Sequence, residues 1–150
     1  MDLSTQGFDL LFQREGKRNE AYRDSQGIWT IGIGHTGPEV HEGLAWTDAQ
    51  VMDAFRRDSA WVLAALALVR VALTQNQFDA LFSFIFNIGG GQWGSSHLLA
   101  AINAGDMDGA ALQFDRWHIP SEIATRRNGE KFQFIGTAFA ARCDSQGNPV

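Results

Sequence analysis

The most constraining feature of this 150-residue chain is a break in hydrophobic period near its start. On either side, apolar residues recur three and four positions apart, as on one face of a helix, but between Gly16 and Gly43 that spacing disappears. There Arg23-Asp24-Ser25-Gln26-Gly27 is a turn cluster, and Ile28-Trp29-Thr30-Ile31-Gly32-Ile33 is rich in β-branched and aromatic residues with partial alternation. The pattern predicts a small, glycine-rich antiparallel sheet, left through an irregular connection from Pro38 to Gly43.

Upstream, Phe8, Leu11 and Phe12 define a first helix that glycine stops at Glu15-Gly16. Downstream, Thr47 with Gln50 and Thr74 with Gln77 have the spacing at which side chain and backbone cap each other, so a helix starts at each. The second carries Phe78, Leu81, Phe82, Ile85 and Ile88 on one stripe and stops at Gly89-Gly90-Gly91. Ser95 or Ser96 caps a helix that Gly105 ends, Asp106 caps one reaching Trp117, and Pro120-Ser121 opens a further element. Asn128-Gly129 is expected to interrupt the last helix, residues 132–142 fit helix or strand, and residues 144–150 read as a frayed tail. The expected fold is α+β: one domain, with a small antiparallel β-lobe over approximately residues 16–45, a larger, mostly helical lobe, and a ligand cleft between them.

Composition removes several alternatives. One cysteine, Cys143, has no intrachain partner, and four scattered histidines give no zinc spacing, so neither a metal nor another cofactor is expected. A net charge of −5 disfavours nucleic acid, which is held by clustered Lys and Arg. Only residues 116–142, with five basic and two acidic side chains, attract an anion. The longest apolar stretch, residues 60–73, is broken by Arg70 and falls short of the about 20 residues that span a bilayer. It reads as a core helix, without stable membrane insertion. The N-terminal segment lacks the pattern of a secretory signal, so the expectation is a protein made and folded in the cytoplasm.

Three side chains stand where chemistry is possible. Glu15 ends the first helix, Asp24 opens the predicted turn, and Thr30 lies on the predicted strand. A carboxyl at a helix end beside an apolar face loses hydration, which is how a glutamic acid becomes a proton donor near neutral pH. A second carboxylate with a hydroxyl nearby suits the handling of water on the far side of a scissile bond, as in glycoside hydrolysis. Singly, each also reads as an ordinary residue: a solvated helix terminus, an Asx turn and a β-branched strand position.

The spacing Glu-x8-Asp-x5-Thr, filled by Glu15, Asp24 and Thr30 within REGKRNEAYRDSQGIWTIGIGHT, resembles the active-site region of the phage-type lysozymes, the endolysins of glycoside hydrolase family 24. LTQNQFDALFSFIFNIG from Leu73 and GSSHLLAAINAGDMDGAALQFDRW from Gly94 are similar to the same family, so the resemblance covers roughly residues 8–135. It implies a lysozyme-like, two-lobed fold that hydrolyses the β-1,4 bond between N-acetylmuramic acid and N-acetylglucosamine in bacterial peptidoglycan, lysing the host cell. Glu15 would be the general acid, Asp24 with Thr30 would position and activate water, and the anomeric carbon would be inverted. By geometry alone the stereochemistry stays open, since it depends on the separation of the carboxyl groups.

The same resemblance gives His35 a structural role near the site and makes Phe86 a cleft aromatic, although its periodicity equally fits plain core. Gln113 aligns near a polar cleft residue, and Arg126-Arg127 with a basic pair of which one approaches the acid; a solvated surface pair is the alternative. Trp93 and Trp117 read as core. The implied protein is a monomer without cofactor that depends on a holin to pass from the infected cytoplasm to the wall in the periplasm. Its acidic charge departs from the strongly basic character of many phage lysozymes. The rivals are a lytic transglycosylase, which leaves an anhydro sugar, a non-catalytic wall-binding module on the same fold, and a helical interaction domain.

Overall fold

The computed structural model describes residues 1–118 and 123–140, with side chains through residue 136. Pro120-Ser121, Cys143 and the tail from residue 144 lie outside the described residues. The chain divides into two compact units, Phe8–Trp61 and Met1–Gly7 with Val62–Val150.

The first of these contains the expected sheet. Helix α1 (Thr5–Glu15), whose first residues belong to the other unit, ends where Gly16 turns to φ +79°, a conformation that costs glycine little. The chain then enters β1 (Arg18–Arg23), β2 (Trp29–Gly32) and β3 (His35–Thr36), an antiparallel sheet in sequential order. Tyr22 pairs with Thr30, Arg23 with Trp29, and Thr30 with Thr36, with an irregularity between Arg18 and Tyr22. Strand β1 starts before the β-rich residues named from sequence. Its polar run RNEAYR carries no alternation, and an Arg18 guanidinium stacked 4.5 Å over the Tyr22 ring helps hold it. Helix α2 (Asp48–Asp58) starts at the Thr47–Gln50 capping box as expected. It buries Val51, Ala54 and Phe55, and the rings of Phe8, Phe12 and Phe55 meet at centroid distances of 5.7–6.0 Å.

The other unit is helical. Residues 60–73 form no single core helix: α3 stops at Leu66 (Ala60–Leu66), and Leu63 and Leu68 stay largely exposed. Its apolar residues outnumber those that one buried stripe holds, and only Val62 and Leu66 are buried on it. Helix α4 (Gln75–Ile88) starts at the Thr74–Gln77 capping box and is buried over eight consecutive residues, Phe78 to Ile85. The three glycines after it end α4 but also supply a short helix, α5 (Gly90–Gly94), whose Trp93 is fully buried and donates to the Ala65 carbonyl at 2.8 Å. Ser96 rather than Ser95 caps α6 (His97–Asn103), and Asp106 caps α7 (Met107–Gln113), which tightens into a 3-10 turn over Phe114–Trp117.

Helix α8 (Ala124–Ala140) packs along α4 and corrects two expectations. Residues 132–140 are helical, and the helix runs through Asn128-Gly129 to a break at Gly136 (φ 60°, ψ −173°) instead. Glycine costs about 1 kcal/mol in a helix. Here Arg126, Arg127, Glu130 and Lys131 all bind partners from this segment, and losing one member of a buried ion pair costs about 3–5 kcal/mol. The tertiary contacts decide.

The start of α1 is tied to α4 by a buried carboxylate. Asp79, 2% exposed, accepts the Ser4 N–H at 3.1 Å, the Ser4 hydroxyl and the Gln75 amide at 2.8 Å. A Cβ on Gly7 would lie 2.6 Å from Asp79 Cγ, so only glycine fits while that carboxylate is clamped. Helix propensity alone favours Gly7→Ala by about 1 kcal/mol. The crowding reverses the sign, and the expected result in urea unfolding is a loss of about 1–3 kcal/mol; a gain would show that Asp79 swings away freely.

Candidate active site

The site is assembled by one hairpin. The turn between β1 and β2 is closed by Asp24 N–H to the Ile28 carbonyl at 3.0 Å and Gly27 N–H to the Asp24 carbonyl at 2.9 Å. Within it, Asp24 Oδ1 accepts the N–H groups of Gln26 (2.8 Å) and Ile28 (2.9 Å), an Asx-type arrangement that fixes the carboxylate plane. Oδ2 takes no hydrogen bond from any described residue. Thr30, 3% exposed, donates its hydroxyl proton to the carbonyl of the same Ile28 at 3.0 Å. One residue thus orients both side chains, its N–H holding Asp24 and its C=O holding Thr30. Because the Thr30 proton is already given away, its oxygen offers only lone pairs.

Glu15 stands one residue before the sheet unit's first turn, at the C-terminal end of α1, half-buried with Oε1 shielded from solvent. All three predicted residues therefore belong to the same compact unit. Lys17 and Asn19, which follow, are held by Asp48 at 2.8 and 2.9 Å, and these bonds keep the Asp48 carboxyl below its usual range.

His35 is held through both ring nitrogens. Its Nδ1 lies 2.7 Å from Asp58 of α2 and its Nε2 2.6 Å from Glu39, with the ring tilted against Trp46 at 5.2 Å. Burial opposes its charge, but the hydrogen bonds and charges of Glu39 and Asp58 outweigh it and raise the imidazole above its ordinary value of 6.5. The same bond from His35 holds Glu39 below its ordinary value of 4.5.

The remaining expected residues lie in the helical unit. Phe86 is partly exposed near the end of α4, and Gln113 is the last residue of α7, with its buried Oε1 accepting no hydrogen bond among the described residues. Neither arginine of the pair is a solvated surface residue. Arg126 donates to Glu130 at 2.9 Å and to the Ser83 carbonyl at 3.0 Å. Arg127 is 1% exposed, bonded to Glu130 and Asn87 and stacked 4.9 Å over Phe84, an interior position in place of the open one that contact with substrate requires. Glu130 itself, fully buried, accepts the Ser83 hydroxyl at 2.7 Å, and Lys131 binds Asp115 at 2.9 Å.

This charged interior was not legible beforehand, since R-R-x-x-E-K reads as a solvated helix face. Trp117, expected as core, is partly exposed and lines a pocket with Arg116 and His97. Among the described residues no group of three or more His, Cys, Asp or Glu is placed to hold a metal, and no helix is long and apolar enough to cross a membrane.

A short helix ending in an acid, a three-stranded antiparallel sheet with Thr30 on its second strand and Asp24 in its first turn, and a helical unit make up a lysozyme-like fold. Residues 13–130 match the family model described as phage lysozyme, and the chain belongs to that family. It is 39% identical over 144 residues to the endolysin of Salmonella phage P22, covering 90% of this chain and 99% of the relative. Among solved structures, a P22 lysozyme mutant matches with a TM-score of 0.85 at 38% identity, over 91% of this chain and 99% of that one. The muramidase domain of SpmX from Asticaccaulis excentricus matches with a TM-score of 0.78 at 35% identity, over 91% and 99%.

The His35 bridge makes a signed prediction. Since the folded pKa is raised, its contribution is complete below pH 6.5 and fades as pH rises through the folded value; on the acid side it fades as Glu39 protonates below 4.5. His35→Asn is expected to lower the melting temperature more at pH 5.5 than at pH 9. Equal losses at both would show that the imidazole acts by packing alone.

Proposed function

We propose that this phage lysozyme hydrolyses the β-1,4 bond between N-acetylmuramic acid and N-acetylglucosamine in peptidoglycan, as part of host-cell lysis. The observation that carries the reading is the shared anchoring of Asp24 and Thr30 on Ile28. A water between them gives one hydrogen to Thr30 Oγ1, which has no proton left to offer along that bond, and the other to the open Oδ2 of Asp24. Both hydrogens are then committed, and a lone pair is left to attack the anomeric carbon of the muramic acid.

Glu15 supplies the opposite half of the reaction. Its proton passes to the glycosidic oxygen as that bond breaks, giving a free hydroxyl on N-acetylglucosamine, while the water oxygen becomes the new hydroxyl on the muramic acid. Asp24 ends with the water's proton and Glu15 without its own; exchange with solvent resets both. The reading needs no cofactor. It takes the two units as one catalytic domain and the protein as a monomer that reaches the wall through a membrane-permeabilising partner of the holin type.

Mass spectrometry of muropeptides released from purified peptidoglycan, without chemical reduction, tests the reaction. Wild type is expected to give reducing-end muramic acid, and Glu15→Gln, which keeps the shape but carries no transferable acid proton, to lose nearly all turnover while retaining its fold. Anhydro-muramic ends would make the enzyme a transglycosylase with no role for the water pair, and full activity of Glu15→Gln would remove the acid.

A further inference from the structure

In the helical unit, Gln92, Ser95, Ser96 and His97, where α5 passes into α6, face Arg116 and Trp117 of the 3-10 turn across a pocket of about 280 Å³. We infer that this pocket binds a carboxylate-bearing group, and that its source is the peptide stem carried by the muramic acid of peptidoglycan; this choice of source rests on the reading under Proposed function.

The lining is one-sided in chemistry. Its described residues offer a guanidinium, an imidazole, an amide and two hydroxyls and no carboxylate, in a chain with 17 acidic and 12 basic side chains. No described residue forms an ion pair with Arg116. Its sequence neighbour Asp115 is engaged by Lys131 at 2.9 Å and lies 3.8 Å from His118. The side chains of Gln92 and His97 likewise make no hydrogen bond with a described residue. Ser95 reaches the Gly91 and Gln92 carbonyls only at 3.5 Å, at the limit of a hydrogen bond, and Ser96, which caps Leu99 N–H at 3.1 Å through a lone pair, keeps its proton to donate.

Shape narrows the ligand. Arg116 is exposed and free to present its planar fork, which matches a carboxylate through two parallel N–H bonds. Trp117 stands edge-on to Phe84 at 5.4 Å, which steadies the indole as an apolar wall beside that charge. The volume of about 280 Å³ falls just below the about 300–1,000 Å³ usual for ligand pockets, too small for a glycan strand and suited to one charged group on a short alkyl chain. Stem peptides present such groups: γ-linked glutamate and diaminopimelate carry free carboxylates on short methylene arms.

The test is calorimetric or NMR titration of the whole chain with the free tripeptide L-Ala-γ-D-Glu-meso-diaminopimelate, with its carboxyl-amidated form, and with inorganic phosphate. The tripeptide is expected to bind, with affinity reduced about tenfold or more by amidation or by Arg116→Gln, the size of a lost charge-assisted hydrogen bond, and reduced less by Arg116→Lys, which keeps the charge but loses the fork. Unchanged melting temperatures show that the variants fold. Equal binding of the tripeptide and its amide, equal binding by Arg116→Gln and wild type, no saturable binding, or a preference for phosphate would each overturn the proposal. Because the tripeptide contains no glycosidic bond, its binding is read independently of hydrolysis: loss of the muramidase reading leaves this result standing, and the reverse holds as well.

Discussion

Two hydrogen bonds to one residue arrange the candidate site of this protein. Ile28 is nearly half exposed and has no chemistry of its own, yet its N–H fixes the Asp24 carboxylate and its carbonyl takes the Thr30 proton. Both bonds exist only if β1 and β2 close around a turn of the right length, which is why a small sheet stands in a chain that is otherwise helical. The tightness of the turn also decides which atoms stay available. Asp24 spends one oxygen on backbone donors and keeps the other, and Thr30 spends its proton and keeps its lone pairs. On the proposed mechanism, the donors that meet these atoms are those of an arriving water.

Support for that hairpin comes from outside it. Helix α2 packs against β2 and β3, with Val51 beside Gly32 and Phe55 against Phe8 and Phe12 of α1, and His35 ties the last strand to the end of α2 while reaching Glu39 in the following connection. An imidazole between two carboxylates is a stronger tie when charged, so this support of the hairpin titrates. In the helical unit the equivalent organising element is the Arg126–Glu130–Arg127 cluster, which Ser83 and Asn87 join by hydrogen bonds. A buried carboxylate between two guanidiniums contributes little by itself and is costly to break, so it fixes how α8 lies on α4 more than it adds to stability.

The parts of this arrangement that were legible in the sequence are those set by local chemistry. Capping boxes at Thr47 and Thr74, glycine after Glu15 and the turn at Asp24 declare themselves over three to five residues, and the structure places each as expected. Elements decided by distant contacts were not legible. The polar strand β1 exists because β2 pairs with it, and α8 crosses Asn128-Gly129 because Glu130 reaches Ser83 of α4 and Lys131 reaches Asp115. The apolar run at 60–73 misled in the opposite direction, since abundance of apolar residues does not ensure that every face has something to bury against. Of the candidate residues, Glu15, Asp24 and Thr30 stand out in the sequence by their spacing, whereas Arg116 and His97 carry no local signal and come together only in the folded pocket beside the 3-10 turn.

The claim that Asp24 and Thr30 aim a water at the face opposite Glu15 is tested most directly by the anomeric configuration of the first product. Proton NMR of peptidoglycan fragments, recorded within the first minutes of cleavage and before mutarotation, distinguishes the two anomers of the new reducing end. The account predicts the α-anomer from the β-linked substrate, the signature of direct attack by the held water. A β-anomer would contradict it, because retention requires a group of the enzyme, not water, to meet the anomeric carbon first.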